Sequence, residues 1–255
     1  MAFRHSHSLG QNFLSDGNLL SAIAADAELS AGDTAVEVGA GMGALTLRLA
    51  LTGARVCAYE IDERLKEYLL PLEQAHPNVT VTFGDFMKCD LPPEVSYKAV
   101  ANLPYYITTP VLFRFLDDPN CFSVTVMVQQ EVAERMIAPP GGKDYGALSV
   151  AAQLSGSVRI TRRVGRHMFD PPPNVDSAVV HIRKDRPPVS ESVKKLVRAA
   201  FSMRRKTLVN CLSSSGYPKA DVTNALAALG LDPAVRGERL SPDDFVRLDE
   251  VLRRS

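Results

Sequence analysis

The sequence predicts an α/β fold, an open parallel sheet with helices on both faces, followed by a smaller all-helical C-terminal domain. Three observations carry this. Apolar strand-like runs alternate with helix-period runs through about the first 180 residues, the pattern of repeated β-α units. In "DRPPVSES" (185–192) two prolines interrupt regular structure, because proline fixes φ and has no N–H to donate. Beyond them every run reads as helix. The expected domains are residues 1–184 and 185–255.

Taken in order, "TAVEVG" (34–39), "ARVCAYE" (54–60), "VTVTFGD" (79–85), "YKAVAN" (97–102) and "SVTVMVQQ" (123–130) are expected strands, and "SAVVHIRK" (177–184) one more. Between them "ALTLRLALTG" reads as a helix closed by Gly53, and "DERLKEYLLPLEQ" as a helix capped by Asp62. In the C-terminal part, "SVKKLVRAAFSM", "RKTLVNCLSS", "KADVTNALAALG" and "SPDDFVRLDEVL" have helical spacing, the last with Ser241 as N-cap and Pro242 at the first helical position. Ligands of open α/β sheets bind beyond the carboxyl ends of the strands. The residues there are the candidates.

The 255 residues are 45% hydrophobic and 23% charged, enough for one large domain or a medium one plus a small one. No apolar stretch approaches the ~18 residues of a membrane span, and the N-terminal residues lack the apolar core of a secretory signal. A cytoplasmic protein is expected, with no membrane partner. Cys57, Cys89, Cys121 and Cys211 lie far apart and the five histidines are scattered, so neither a disulfide framework nor a metal site is expected.

Net charge is zero, but it is unevenly distributed: residues 1–155 carry 10 basic and 18 acidic side chains, residues 156–212 carry 13 and 4, and residues 213–255 carry 6 and 7. A basic middle segment is hidden by an acidic first half. Polyanion binding depends on such local charge.

"VEVGAGMGALT" follows the first strand and opens a helix, so Gly39, Gly41 and Gly43 let backbone approach a ligand closely, with Glu60 about twenty residues on to hold ribose hydroxyls. Nicotinamide and S-adenosylmethionine enzymes share this Rossmann-like solution. Glu37 tilts the choice, since a carboxylate there repels a pyrophosphate but attracts a sulfonium and an amino group. Asp85, closing the third strand, can accept from an adenine amino group.

In "AVANLPYYITTP" (99–110) a buried strand ends at Asn102, and Pro104 forbids helix just there. The Asn102 amide oxygen and the Leu103 carbonyl are acceptors. An adenine amine is a poor nucleophile because its lone pair is delocalised. Two acceptors on its N–H bonds draw the nitrogen towards a tetrahedral shape and align it with an incoming methyl group. Asn has no basic site near neutral pH, so its role is alignment. Tyr105 offers a face for the base, and Phe169, ahead of three prolines, a second one. Tyr106 reads as packing.

"GQNFL", "VEVGAGMG", "NLPYYITTP", "FDPPPNVDSAV" and "AAFSMRRKTLVN" together resemble the bacterial small-subunit ribosomal RNA adenine dimethyltransferases over nearly the whole chain. The resemblance implies a class I S-adenosylmethionine-dependent methyltransferase sheet, with S-adenosylhomocysteine as product. It implies a cofactor pocket of Asn12, Leu14, Gly39, Gly41, Glu60, Asp85 and Asn102, and a target adenine held by Asn102, Leu103, Tyr105 and Phe169. It further implies four methyl transfers to two adjacent adenines in a hairpin near the 3′ end of the 16S RNA, in an assembling 30S particle, by a monomer. One departure is the N-terminus "MAFRHSHS", which lacks the strongly basic tail frequent in the family. Arg159, Arg162, Arg163, Arg166, Arg204, Arg205 and Lys206 supply positive charge instead, and Arg162, Arg163, Arg166, Arg204, Arg205 and Lys206 are the expected RNA contacts. The sister group that methylates large-subunit RNA and a non-catalytic assembly factor remain as alternatives; "RRKTL" (204–208) and the helical tail favour the small-subunit group.

Overall fold

The structure, a computed structural model, describes residues 13–14, 16–91, 96–203 and 205–254. Among these, the residues up to Ala133 together with Val158–Asp185 form one compact unit, and Glu134–Ser157 with the residues from Arg186 onward form another. The expected cut at 184/185 lies next to the last of these boundaries, but 134–157 packs with the helices and not with the sheet.

The first unit is built on seven strands in the order β4-β3-β2-β5-β6-β9-β7. These are β2 (Thr34–Val38), β3 (Arg55–Glu60), β4 (Val79–Phe83), β5 (Tyr97–Asn102), β6 (Cys121–Gln129), β7 (Ser157–Val164) and β9 (Ser177–Arg183), while β1 (Phe13–Leu14) and β8 (Phe169–Asp170) pair separately. From β4 to β6 neighbouring strands run parallel. Between β6 and β9 the pairing is antiparallel, Val126 facing Val180, so the expected parallel sheet is corrected to a mixed one. The residue pattern does not encode this: "SAVVHI" is buried throughout, and a strand covered on both faces reads the same in either direction. β7, whose burial alternates imperfectly around three arginines, was expected only as basic chain.

Every residue of β2 is buried, whereas β4 at the sheet edge alternates. Helix α1 (Gly17–Asp26) starts where Asp16 accepts the Leu19 N–H at 2.8 Å. Helix α2 (Ala44–Ala50) starts at Gly43, whose φ of 82° only glycine adopts readily. Asp62 caps as expected, accepting from the Arg64 N–H, but the first turn is 3-10 and α3 proper spans Lys66–Ala75. Ile23, Leu49, Leu65, Leu69 and Val100 are fully buried in the core these elements share. The chain leaves β2 towards β3 and β4 on one side and returns on the other as β5. Between β2 and β5 the strand order reverses, and there an open sheet leaves a crevice.

After α4 (Thr108–Asp117) and α5 (Gln130–Ile137), the second unit holds α6 (Ala147–Ser155), α7 (Glu191–Ala200), α8 (Leu208–Ser214), α9 (Lys219–Ala228) and α10 (Pro242–Leu252). Ser190 and Thr207 cap α7 and α8, and Ser241 and Asp244 cap α10 reciprocally. Leu196, Leu208, Leu212, Val222, Leu226, Phe245 and Leu248 form its core. Residues 134–157 join it through Tyr145, whose hydroxyl donates to the Leu240 carbonyl at 2.9 Å, and through the Gly141 N–H, which donates to the Glu238 carbonyl at 2.6 Å.

Candidate active site

At the carboxyl ends of β2 to β5 lies a cavity of about 520 Å³, within the range of ordinary small-molecule sites. The glycine loop forms its floor. The chain can turn here because Gly39 and Gly41 take φ of 76° and 60°, a region costly to residues with a Cβ. The end of β3 grips the loop: the Gly39 and Ala40 N–H groups donate to the Tyr59 carbonyl at 2.8 and 3.2 Å, and the Gly41 N–H donates to Glu60 Oε2 at 2.8 Å. Glu60 Oε1 accepts the Asp62 N–H, also at 2.8 Å. Burial raises the Glu60 pKa, and the N–H groups of Asp62, Gly41 and Ile61 oppose the rise.

Glu37 is 1% exposed, yet it lines the cavity. Its Oε2 has no hydrogen-bond partner among the described residues. Burial first, and Glu60 second, push its pKa up to about 8, a rise tempered by nearby Thr46 Oγ1, which does not reach hydrogen-bond geometry. A buried carboxyl with an unanswered oxygen is costly unless a cation comes to meet it. Two apolar walls and this acid fit a ligand that joins a nucleoside to a cationic chain.

The opposite rim is the end of β5. A Cβ built on Gly39 would stand 3.7 Å from the Asn102 carbonyl oxygen and 3.5 Å from Pro104 Cδ, so the glycine loop and "NLPY" lie side by side with room for little more than a methyl group between them. Pro104, extended at ψ 133°, sends the chain into a 3-10 turn over Tyr105–Ile107. No described group donates to the Leu103 carbonyl or bonds the Asn102 amide. Tyr105 is held by a 2.8 Å bond between its hydroxyl and Ser177 Oγ. Leu14 pairs with Phe169, and Phe13 with Asp170, in the small β1–β8 sheet. Phe13 lies over the loop, 3.1 Å from where a Gly41 Cβ would be.

A family model described as ribosomal RNA adenine dimethylase matches residues 2–254. The chain belongs to that family. Ribosomal RNA small subunit methyltransferase A of Moorella thermoacetica (strain ATCC 39073 / JCM 9320) is 42% identical, over 96% of this chain and 92% of that protein. The protein of the same name from Bacillus thuringiensis (strain Al Hakam) is also 42% identical, over 98% and 92%. Among solved structures, a dimethyladenosine transferase from Plasmodium falciparum superposes with a TM-score of 0.78 at 27% identity, over 92% of this chain and 95% of that one. The 23S rRNA methyltransferase ErmE superposes with a TM-score of 0.72 at 30% identity, over 95% and 100%. The Rossmann-like methyltransferase fold with a helical C-terminal part is thus the fold of this dimethylase family member.

Leu14, Gly39, Gly41, Glu60, Asp85, Asn102, Leu103, Tyr105 and Phe169 all line the one cavity. Asn12 lies outside the described residues. Asp85 also serves its own turn, Oδ1 accepting the Met87 N–H at 3.0 Å and Oδ2 standing 3.6 Å from Lys88 Nζ. Tyr106, assigned to packing, is corrected: it is 54% exposed and lines the cavity. Phe13, Ile61, Phe86 and Met87 line it too and were not singled out. Position beside Glu60 and Asp85 was the signal for the last three. Phe86 is fixed by Arg114, whose guanidinium lies 4.5 Å from the ring centre and donates to the Phe86 and Cys89 carbonyls.

Of the expected RNA contacts, Arg162 spends its fork on Asp26, with Nε and Nη2 at 2.8 and 2.9 Å from the two carboxylate oxygens. Arg163 on β7 and Arg166, three residues before Phe169, are exposed. Arg205 and Lys206 are exposed on the second unit, and Arg204 lies outside the described residues.

Proposed function

We propose that this chain dimethylates the N6 amines of two adjacent adenines in a hairpin near the 3′ end of small-subunit ribosomal RNA, acting as a cytoplasmic monomer on an assembling 30S particle. The observation that carries the reading is that the glycine loop, Asn102 and Leu103 line one cavity, which supports a nucleoside-binding floor beside two open acceptors. Bound there, S-adenosylmethionine supplies an electrophilic methyl group and leaves as S-adenosylhomocysteine.

Leu14, Gly39, Gly41 and Asp85 hold the nucleoside end, with Glu60 on the ribose, and Asn102 closes the same pocket. Glu37 answers the positive charge. On the substrate side, the Asn102 amide oxygen and the Leu103 carbonyl accept the two N–H bonds of the target amine. Tyr105 and Phe169 clamp the base, returning roughly 1–3 kcal/mol per stacked face against the few kcal/mol needed to extrude it. Leu103 is 2% exposed, so the residue that carries this carbonyl is anchored in the core, and a hydrogen bond made there is stronger than in water. The first unit is the catalytic domain and the second an RNA-recognition domain, with Arg163, Arg166, Arg204, Arg205 and Lys206 on phosphates. Arg162 is held by Asp26 and is left out of that set.

The 42% identity to proteins named for the small subunit, against 30% to one named for 23S RNA, supports the choice of substrate. The test is incubation with labelled S-adenosylmethionine and, in separate reactions, small and large subunits from a strain lacking the modification, followed by digestion of the RNA. Labelled dimethyladenosine is expected. Label confined to large-subunit RNA, or none at all, overturns the reading.

A further inference from the structure

Two consecutive tyrosines occupy the turn that follows Pro104, and they have different neighbours in the cavity lining. A 3-10 turn has about three residues per revolution, so adjacent side chains leave it in different directions. Tyr105 reaches Ser177 at the start of β9. Tyr106 lines the cavity together with Glu60, Ile61, Asp85 and Met87, at the ends of β3 and β4. Burial raises its hydroxyl pKa, and the charges that add to the rise are those same acids, Glu60 and Asp85. Tyr106, Ile61 and Met87 are 54%, 48% and 42% exposed. Each of the three lines the cavity while about half in water, so each belongs to its rim and not to the core, and a tyrosine combines a flat apolar face with a polar tip.

We propose that Tyr106 is a cofactor-contacting residue, covering the nucleoside half of the methyl donor from the rim of the cavity on the side of Glu60 and Asp85. The inference rests on the cofactor reading above and extends it: one turn supplies a face for the RNA base through Tyr105 and a cover for the donor through Tyr106. The occupant is the donor's nucleoside because the acids beside Tyr106 suit ribose hydroxyls and an exocyclic amine, whereas an RNA backbone would be repelled by them.

The experiment is titration calorimetry of the full chain with S-adenosylhomocysteine alone, so that RNA and turnover play no part. The wild type binds, Tyr106→Phe stays within about threefold of it, and Tyr106→Ala loses about tenfold or more. Because Tyr106 is half in water already, the ligand-free melting temperature stays put. Should alanine disturb the turn, Tyr106→Leu fills the mouth without an aromatic face and shows the same loss. Wild-type affinity in the folded Ala or Leu variant overturns the inference. A wild type that binds no S-adenosylhomocysteine overturns the cofactor reading, and this inference with it.

Discussion

The glycine-loop wall of the cavity is almost fully hydrogen-bonded within the chain, whereas the rim from Asn102 to Tyr106 is left open. On the wall, the N–H groups of Gly39, Ala40 and Gly41 all have acceptors, and both oxygens of Glu60 are engaged. On the rim, the Leu103 carbonyl and the Asn102 amide have no such partners among the described residues. Asn102 is half-buried and Leu103 is buried, so a ligand entering the cavity meets two acceptors not already spent within the chain. The wall's polar groups are largely spent on the chain itself, and the rim's are not. Glu37 Oε2 is the exception on the wall, and it too calls for a ligand.

Removing the rim's side-chain acceptor has the largest expected effect. Asn102→Ala leaves affinity for S-adenosylhomocysteine mostly intact and lowers turnover by about 10²–10³, the usual cost of one preorganised polar contact to a reacting group. Single-turnover rates and calorimetry separate the two. Unchanged turnover would mean that the Leu103 carbonyl aligns the amine alone. Tyr105→Ala comes next, at roughly 1–3 kcal/mol in productive RNA engagement. If the loss appears in melting temperature and not in RNA affinity, the Ser177 bond makes Tyr105 a packing residue and the rim shrinks to Asn102 and Leu103.

The wall is tested at Glu37. Its carboxyl, raised from 4.5 to about 8 in the folded chain, holds a proton there that the unfolded chain has already released. The stability this contributes is therefore present below about pH 4.5 and lost as pH rises through about 8. Glu37→Gln removes that decline, so the ligand-free variant melts at more nearly the same temperature across this range. For a cationic ligand the sign reverses: wild-type affinity for S-adenosylmethionine rises with pH through about 8, and the variant binds more weakly with a flat profile. A pH-independent wild-type affinity would show that the cation lies elsewhere.

Most of the wall and rim was legible because strand ends announce themselves: Asn102 before Pro104, Glu60 and Asp85 closing apolar runs, Gly39 and Gly41 after another. What was missed has physical reasons. Strand direction leaves no mark on a fully buried segment such as Ser177–Ile182. In "SVRITRRV" the arginines of β7 hide a strand behind its charge, and one of them, Arg162, faces Asp26. The allegiance of residues 134–157 is decided by distant partners, Leu240 and Glu238, which no local pattern reveals. Tyr106 was misread because two adjacent tyrosines look alike until the 3-10 turn sends them apart.

The arginines offer the smallest effect and a sharp control. Arg166 lies on the turn just before Phe169 and is exposed; its Nη1 donates to the Asn174 carbonyl at a long 3.3 Å, so most of its five donors face water. If it meets a phosphate beside the rim, Arg166→Ala weakens RNA binding and lowers the slope of log affinity against log salt by about 0.7–0.9. Arg162, four residues earlier, is nearly the same in charge and sequence but is bound through both Nε and Nη2 to Asp26. Arg162→Ala therefore leaves the salt slope alone and costs a little stability, of the order expected for a partly exposed ion pair, about 1 kcal/mol or less. Equal slopes for the two variants would mean that proximity to the rim does not select the phosphate contacts, and that the basic segment acts as a diffuse field.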